Sequence, residues 1–268
     1  MPSLRVVAAR TELAGVVTQP DRPAGRGHKL TPSPVKAAAL ELGLRVYEPV
    51  RLRPFARDLT GAPFDLFALA SYGRILPQAL LDIPRLGALN VHPSLLPKYR
   101  GATPIQTALR HGERQTGVSI MLMDAGMDTG EIVAQETLAI EPGETYLELH
   151  DRLARIGAEL LGDALDRAAT GELPHRPQRG EPSVTAPIRK DDLPIDWAWE
   201  PQRIVNHVRA FSPRPAARAV IDGELVKVLR AHVAPDGALV IDELIAPNRG
   251  KTTGEAYRQR RREQTRES

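Results

Sequence analysis

The stretch ALNVHPSLLPKYRGATPI, Ala88 to Ile105, ends an apolar run with Asn90 and His92 and then meets Pro93 and Pro97. Residues two apart on a strand share a face. "ALNVHPS" therefore reads as a strand presenting an amide and an imidazole side by side at its carboxyl end. "TPIQTALRHG" fits the helix that follows, with Thr103 as N-cap and Pro104 at the first helical position. Upstream, "FDLFALAS", Phe64 to Ser71, is a continuous apolar run, as expected of a buried parallel strand. Downstream, "GVSIMLMD" is another strand. Further out, "LAGVVTQ" (Leu13 to Gln19) and "LRVYEPV" read as strands. "LRVVAAR", "VKAAALELGL" and the long periodic "ETYLELHDRLARIGAELLGDALDRAATG", bounded by Gly143 and Gly171, read as helices. Strands alternating with helices predict an α/β fold with a doubly wound, mostly parallel sheet.

Two segments break this rhythm. "PDRPAGRGHKLTPSP", Pro20 to Pro34, holds four Pro and two Gly, a density at which no regular element is expected. After Gly171 the chain becomes Pro-rich, then offers a short helix in "PQRIVNHVRAFSPRP". Two strands follow in "ARAVIDGELVKVLRAHV", around the turn Asp222-Gly223, and a third in "ALVIDELIAP". The tail is polar and basic. The expected organisation is an α/β domain over 1–177, a linker over 178–195 and a small β domain with a basic tail over 196–268.

Composition narrows the class. With 268 residues, 42% hydrophobic and 26% charged, the chain has the balance of a soluble globular protein. No apolar run approaches the ~18 residues of a membrane span, and the N-terminus reads as an amphipathic helix rather than a signal peptide. The absence of Cys excludes disulfides, thiolate nucleophiles and thiolate metal sites. The scattered His residues lack ligand spacing, so no metal is expected. A cytoplasmic monomer with no membrane partner is the expectation. The net charge is only +3, but basic residues cluster at Arg22–Lys36 and Lys251–Arg266, where a polyanion would be met.

At the end of an open α/β strand, where such sheets bind ligands, Asn90 can donate to a developing oxyanion and His92 can move a proton near neutral pH. An orienting carboxylate for His92 comes from "DAGMDTGEI", as either Asp124 or Asp128. Asn and His at a strand end are also common as purely structural residues, and spacing alone leaves both roles open.

The runs "LNVHPSLLPKYRGATPIQ" and "GVSIMLMDAGMDTGEI" resemble those of the folate-dependent formyltransferases. "VVTQPDRPAGRGHKLTPSPVK" and "ASYGRILP" are similar to the branch that acts on methionyl initiator tRNA. The resemblance is continuous from residue 13 to about 215. It implies a Rossmann-like formyltransferase domain followed by an OB-like β-barrel. It also implies formyl transfer from 10-formyltetrahydrofolate to the α-amino group of initiator methionyl-tRNA. Asn90 and protonated His92 would bind the oxyanion, and Asp128 would orient the imidazole. Ser94, Leu95, Leu96 and Pro97, with Arg74, Ile75 and Leu76, would line the folate pocket. Arg22, Arg26 and Lys29 would meet the tRNA.

Three departures from that family carry expectations of their own. Relatives begin with a strand and a Gly-Thr-Pro loop, whereas this chain starts inside the helix that follows them. It is therefore expected to be a truncated relative or one whose start lies upstream. The strand order then leaves a gap or unpaired edges mid-sheet. The β domain is expected to be an incomplete barrel, short by two strands. The family's "NPWP" is "SPRP" here, with Arg214 in the place of Trp. Competing readings are a formyltransferase acting on an amino sugar or a glycinamide ribonucleotide, and an inactive relative serving as a binding protein.

Overall fold

The computed structural model describes residues 1–24, 29–247 and 249–267. In chain order the first elements are α1 (Pro2–Arg10), β1 (Val16–Val17), β2 (Arg22–Ala24), β3 (Lys29–Thr31), α2 (Pro34–Glu41), β4 (Val46–Tyr47), α3 (Leu52–Leu59), β5 (Phe67–Ala70), α4 (Gln78–Leu81), β6 (Ala88–His92), β7 (Arg100–Gly101), α5 (Pro104–Arg110), β8 (Gln115–Leu122), β9 (Ile132–Ala139) and α6 (Tyr146–Ala169). There follow β10 (Val184–Thr185), α7 (Pro201–Phe211), β11 (Ala217–Ile221), β12 (Glu224–Val233), β13 (Leu239–Ala246), β14 (Gly250–Thr253) and α8 (Gly254–Glu267). The chain forms two units: Met1–Arg100, Gly117–Thr137 and Leu153–Val184 make the first, and Gly101–Thr116, Leu138–Arg152 and Thr185–Ser268 the second.

In the first unit β6 lies between β5 and β8. It pairs parallel with β5, Phe67 opposite Ala88 and Leu69 opposite Asn90. It pairs antiparallel with β8, Asn90 opposite Met121 and His92 opposite Ser119, and β9 follows β8 in the sheet. The sheet thus stops being parallel at β8. Leu89, Ile120 and Val133 of the strands pack on Leu161, Ala164 and Leu165 of α6. The helix comes close because Gly157 faces the sheet: a Cβ there would stand 2.7 Å from Val91 Cγ1.

The sheet is divided, as the gap expected from the strand order implies. β1 and β4 pair parallel, Val16 opposite Val46, as a separate two-stranded sheet. The run Phe64–Ser71, expected to be fully buried, is a strand only over Phe67–Ala70, and Ala68 and Ala70 are exposed. Among the described residues β5 has one neighbouring strand instead of two, so one of its edges is unpaired.

The Pro20–Pro34 segment also differs from expectation. β2 and β3 form an antiparallel ribbon, Arg22 opposite Thr31 and Pro23 opposite Leu30. A two-stranded ribbon consists of edges, a sheet context that tolerates Pro. Six further elements, α3, α4, β7, β9, β10 and β14, answer to no sequence expectation, and the tail folds as α8.

The second unit holds β11-β12-β13-β14 in that order, an open antiparallel sheet and not a closed barrel. Its core joins Ile204 and Val208 of α7 to Ala217, Val226, Val228 and Leu244 of the strands and Tyr257 of α8. The Asp222-Gly223 turn has positive φ at both residues, 50° and 78°, as a two-residue hairpin of this kind demands. Thr103 occupies the N-cap of α5 but makes no capping bond; its hydroxyl donates to Ala186 O instead. Among the described residues, no helix is long and apolar enough to cross a membrane and no His, Cys, Asp and Glu cluster could hold a metal ion.

Candidate active site

His92 ends β6 and is 4% exposed. Its Nε2 lies 3.0 Å from the carbonyl oxygen of Tyr99. A carbonyl only accepts, so Nε2 carries the proton and donates. Nδ1 lies 3.6 Å from Asp128 Oδ2, and both side chains are largely shielded. Burial pushes the imidazole pKa below its ordinary value, against the opposing pull of Asp128 and of the bond to Tyr99. The ring is thus neutral at physiological pH, not the protonated oxyanion partner that the resemblance implies. Asn90, half-buried, is two residues earlier on the same strand and shares its face.

Of the two candidate carboxylates, only Asp128 reaches His92. Asp124 is engaged locally: both its oxygens accept from Thr129 Oγ1, and one accepts from Gly126 N. Asp128 has φ +54°, a left-handed turn that Asp tolerates better than most residues. Two residues that the sequence did not mark fix this turn from behind. Gln178 Nε2 donates to the carbonyls of Asp128 and Gly130, and Arg100 donates to Gln178 Oε1 at 2.7 and 3.2 Å. A contact across 50 residues of sequence leaves no local pattern to read.

Ser94–Pro97 follow His92 as a tightly bonded turn. Ser94 Oγ donates to Lys98 O. Ser119 Oγ donates to Ser94 O and accepts from Leu96 N. Gln135 Nε2 donates to Leu96 O. Leu96 is buried with Met121 and Ile132, so its side chain serves the core, and Leu95 is half-buried.

Arg74, Ile75 and Leu76 fall to different tasks. Arg74 donates to the carbonyls of Pro49 and Val50. Leu76 packs on Leu52, Ala56 and Leu80. Ile75 is 88% exposed and Val50 76% exposed, and with Pro54, Arg74 and Pro77 they line an open cleft. Arg22 is exposed on the ribbon and donates to Gln19 Oε1. Lys29 contributes backbone to β3. Arg26 lies outside the described residues.

An amide, a buried neutral imidazole and a loop carboxylate come together where β6 ends, with no nucleophilic side chain among the three. The chain belongs to the formyl transferase family: the profile described as Formyl transferase matches residues 3–165, and that described as Formyl transferase, C-terminal domain, matches residues 187–260. A methionyl-tRNA formyltransferase of Geobacter metallireducens is 43% identical over 235 residues, 87% of this chain and 76% of that protein. One of Geobacter sulfurreducens is 44% identical over 237 residues, 87% of this chain and 75% of that protein. Among solved structures, WlaRD, a sugar 3N-formyl transferase, superposes with a TM-score of 0.68 at 19% identity, over 87% of this chain and 82% of its own; at that identity the likeness is one of fold.

Proposed function

We propose that this chain transfers the formyl group of 10-formyltetrahydrofolate to the α-amino group of initiator methionyl-tRNA. The observation that carries the chemistry is the pairing of a buried, neutral His92 with Asp128 beside Asn90. The acceptor is supported by the relatives above 40% identity that bear this activity in their names. In this reading residues 1–177 carry the transfer chemistry, 178–195 form the link and 196–268 hold the tRNA, with one copy of the chain acting in the cytoplasm.

The exposed apolar Ile75 and Val50 beside a cleft suit a flat ring system, so Arg74 and Ile75 would hold the folate there, with the Ser94–Pro97 turn added by the family resemblance. When bound, the folate supplies a formyl carbon attached to a nitrogen that can leave. The acceptor's α-amino group has an ordinary pKa near ~8, so part of it is neutral and nucleophilic at neutral pH. Asn90 donates to the formyl oxygen as that oxygen gains negative charge, an interaction typically worth ~3 kcal/mol. His92, neutral in the free site, is the base for the proton that the attacking amine must lose. Asp128 stabilises the imidazolium so formed, and the same proton then serves the departing nitrogen.

The test is formyl transfer from 10-formyltetrahydrofolate to methionyl-tRNA, run beside an amino-sugar nucleotide and glycinamide ribonucleotide. Methionyl-tRNA should be the acceptor used. His92→Ala should lower turnover by about a hundredfold or more and leave folate affinity nearly intact. Near wild-type turnover in that variant removes the role of His92. Preference for a small amine moves the chain to the alternative reading.

A further inference from the structure

Lys36 stands at the foot of the β2–β3 ribbon and takes no part in the site above. Its Nζ lies 2.8 Å from Asp21 Oδ2 and 2.8 Å from Glu48 Oε2. The three residues come from three places: Asp21 immediately precedes β2, Lys36 is in the first turn of α2, and Glu48 immediately follows β4. One ammonium therefore ties the entry of the ribbon to the helix that leaves it and to the parallel sheet beneath. The same foot is closed a second time by Ser33. Its hydroxyl lies 2.9 Å from Thr18 Oγ1 and accepts from Lys36 N as the cap of α2. Gln19 adds a third tie, donating to Tyr72 O and accepting from Arg22.

The charge count makes Lys36 the sensitive member. All three side chains are under a third exposed, at 18% for Lys36, 27% for Asp21 and 30% for Glu48. The second carboxylate oxygens, Asp21 Oδ1 and Glu48 Oε1, are buried and without partners among the described residues. One cation thus holds two anions that have little else to hold them. Without it, two like charges face each other away from bulk water, a costly arrangement. Glu48 follows a strand of the sheet, whereas Asp21 leads into the ribbon, so relief comes by displacing the ribbon's foot.

We propose that Lys36 is a positioning residue for RNA recognition: by holding Asp21 and Glu48 together it fixes the direction in which the β2–β3 ribbon leaves the sheet, and so aims Arg22 at the tRNA. The proposal rests on the reading of the ribbon as an RNA contact.

The experiment compares wild type with Lys36→Met, Lys36→Arg, Glu48→Gln, the double variant Lys36→Met/Glu48→Gln, and Arg22→Ala. Each is checked for cooperative thermal unfolding. The readouts are KM for methionyl-tRNA, kcat at saturating tRNA, and affinity for 10-formyltetrahydrofolate. Lys36→Met should raise the tRNA KM about tenfold, equivalent to ~1.4 kcal/mol, with kcat and folate affinity unchanged. Lys36→Arg should stay near wild type. Adding Glu48→Gln to Lys36→Met should recover much of the loss, since it removes one of the two facing charges. A Lys36→Met variant with unaltered KM overturns the proposal. So does a double variant no better than the single one, or an equal fall in kcat and folate affinity, which would mark general loosening. Arg22→Ala separates the underlying reading: an unchanged tRNA KM there removes the ribbon as an RNA contact and the proposal with it. Weakened binding in Arg22→Ala with a silent Lys36→Met rejects the clamp alone.

Discussion

His92 has both ring nitrogens directed at protein groups, and the two partners are not equivalent. Tyr99 O can only accept, so it fixes the proton on Nε2. The lone pair at Nδ1 then faces an ionised carboxylate, and two acceptors do not bond, which accounts for a separation of 3.6 Å. Protonation of Nδ1 would turn that gap into an ion pair. Burial lowers the imidazole pKa and Asp128 partly offsets it. The sign of a substitution follows. Asp128→Asn removes the offset, so the pKa falls further, while Asn tolerates the left-handed backbone at φ +54°. If neutral His92 is the base, activity is lost as pH drops through that pKa, and the acid limb of the pH–rate profile should move to lower pH. The profile of kcat/KM over roughly pH 5 to 8, where such a group titrates, decides it. An unmoved limb in a folded variant would mean that Asp128 exerts no field on the ring. Stability carries the same signature. Below about pH 6.5 the unfolded chain binds a proton that native His92 resists, so folding should weaken as pH falls. His207, buried against Leu193 O with its pKa also pushed down by burial, contributes with the same sign.

Among the elements, β5 and β1 have the most to reveal, because each lacks a partner strand on one edge among the described residues. Phe67 N donates to Gly87 O, and the parallel register with β6 turns alternate amides away, so the N–H groups of Ala68 and Ala70 point to the other edge. In β1, Val16 N and Thr18 N donate to Arg45 O and Tyr47 O, leaving Val17 N–H on its far side. Amide hydrogen exchange should find Ala68, Ala70 and Val17 fast and Phe67, Leu69, Val16 and Thr18 protected, since local opening ranges from nearly free to global. Equal protection across both sets would show that another strand occupies those edges. The sequence made α6, α7 and the β11–β12 hairpin legible, because long periodic segments and an Asp-Gly turn act locally. It hid β9, whose burial runs from buried at Ile132 to exposed at Glu136 and Thr137, so neither helical nor strand period holds. It hid the ribbon because pairing between β2 and β3, not residue preference, makes those strands. That Asn90 and His92 share one face of a strand was legible from their spacing. The choice of Asp128 over Asp124 came from the family resemblance and not from spacing, because it depends on a left-handed turn held by Gln178.

At the scale of the whole molecule, 36 basic and 33 acidic residues leave a net charge of +3, too small for a strong general attraction to RNA. Binding must come from where the cations stand. They are exposed at Arg22 on the ribbon and at Arg258, Arg260 and Arg262 on α8. α8 is anchored by Tyr257, whose hydroxyl reaches Ile221 O and Glu224, so its arginines are displayed from a fixed helix. Many other cations are already spent within the fold: Arg10 on Asp163 and Asp166, Arg152 on Glu144, Lys251 on Glu243. Phosphate contacts reveal themselves by counterion release, because each neutralised phosphate steepens the fall of affinity with salt. Affinity for methionyl-tRNA should therefore fall linearly on a log–log plot against salt. Arg22→Ala should flatten the slope by about one unit or less, the contribution of a single phosphate. Folate affinity should be unaffected, since Arg22 is not among the residues assigned to the pocket. Measurements at several salt concentrations, with the variant and wild type side by side, separate the cases. A flatter line that meets the wild-type line at high salt identifies a phosphate contact. A parallel line displaced downward identifies a lost contact of another kind, and coincident lines leave the ribbon as a solvated basic surface and return weight to the small-amine acceptors.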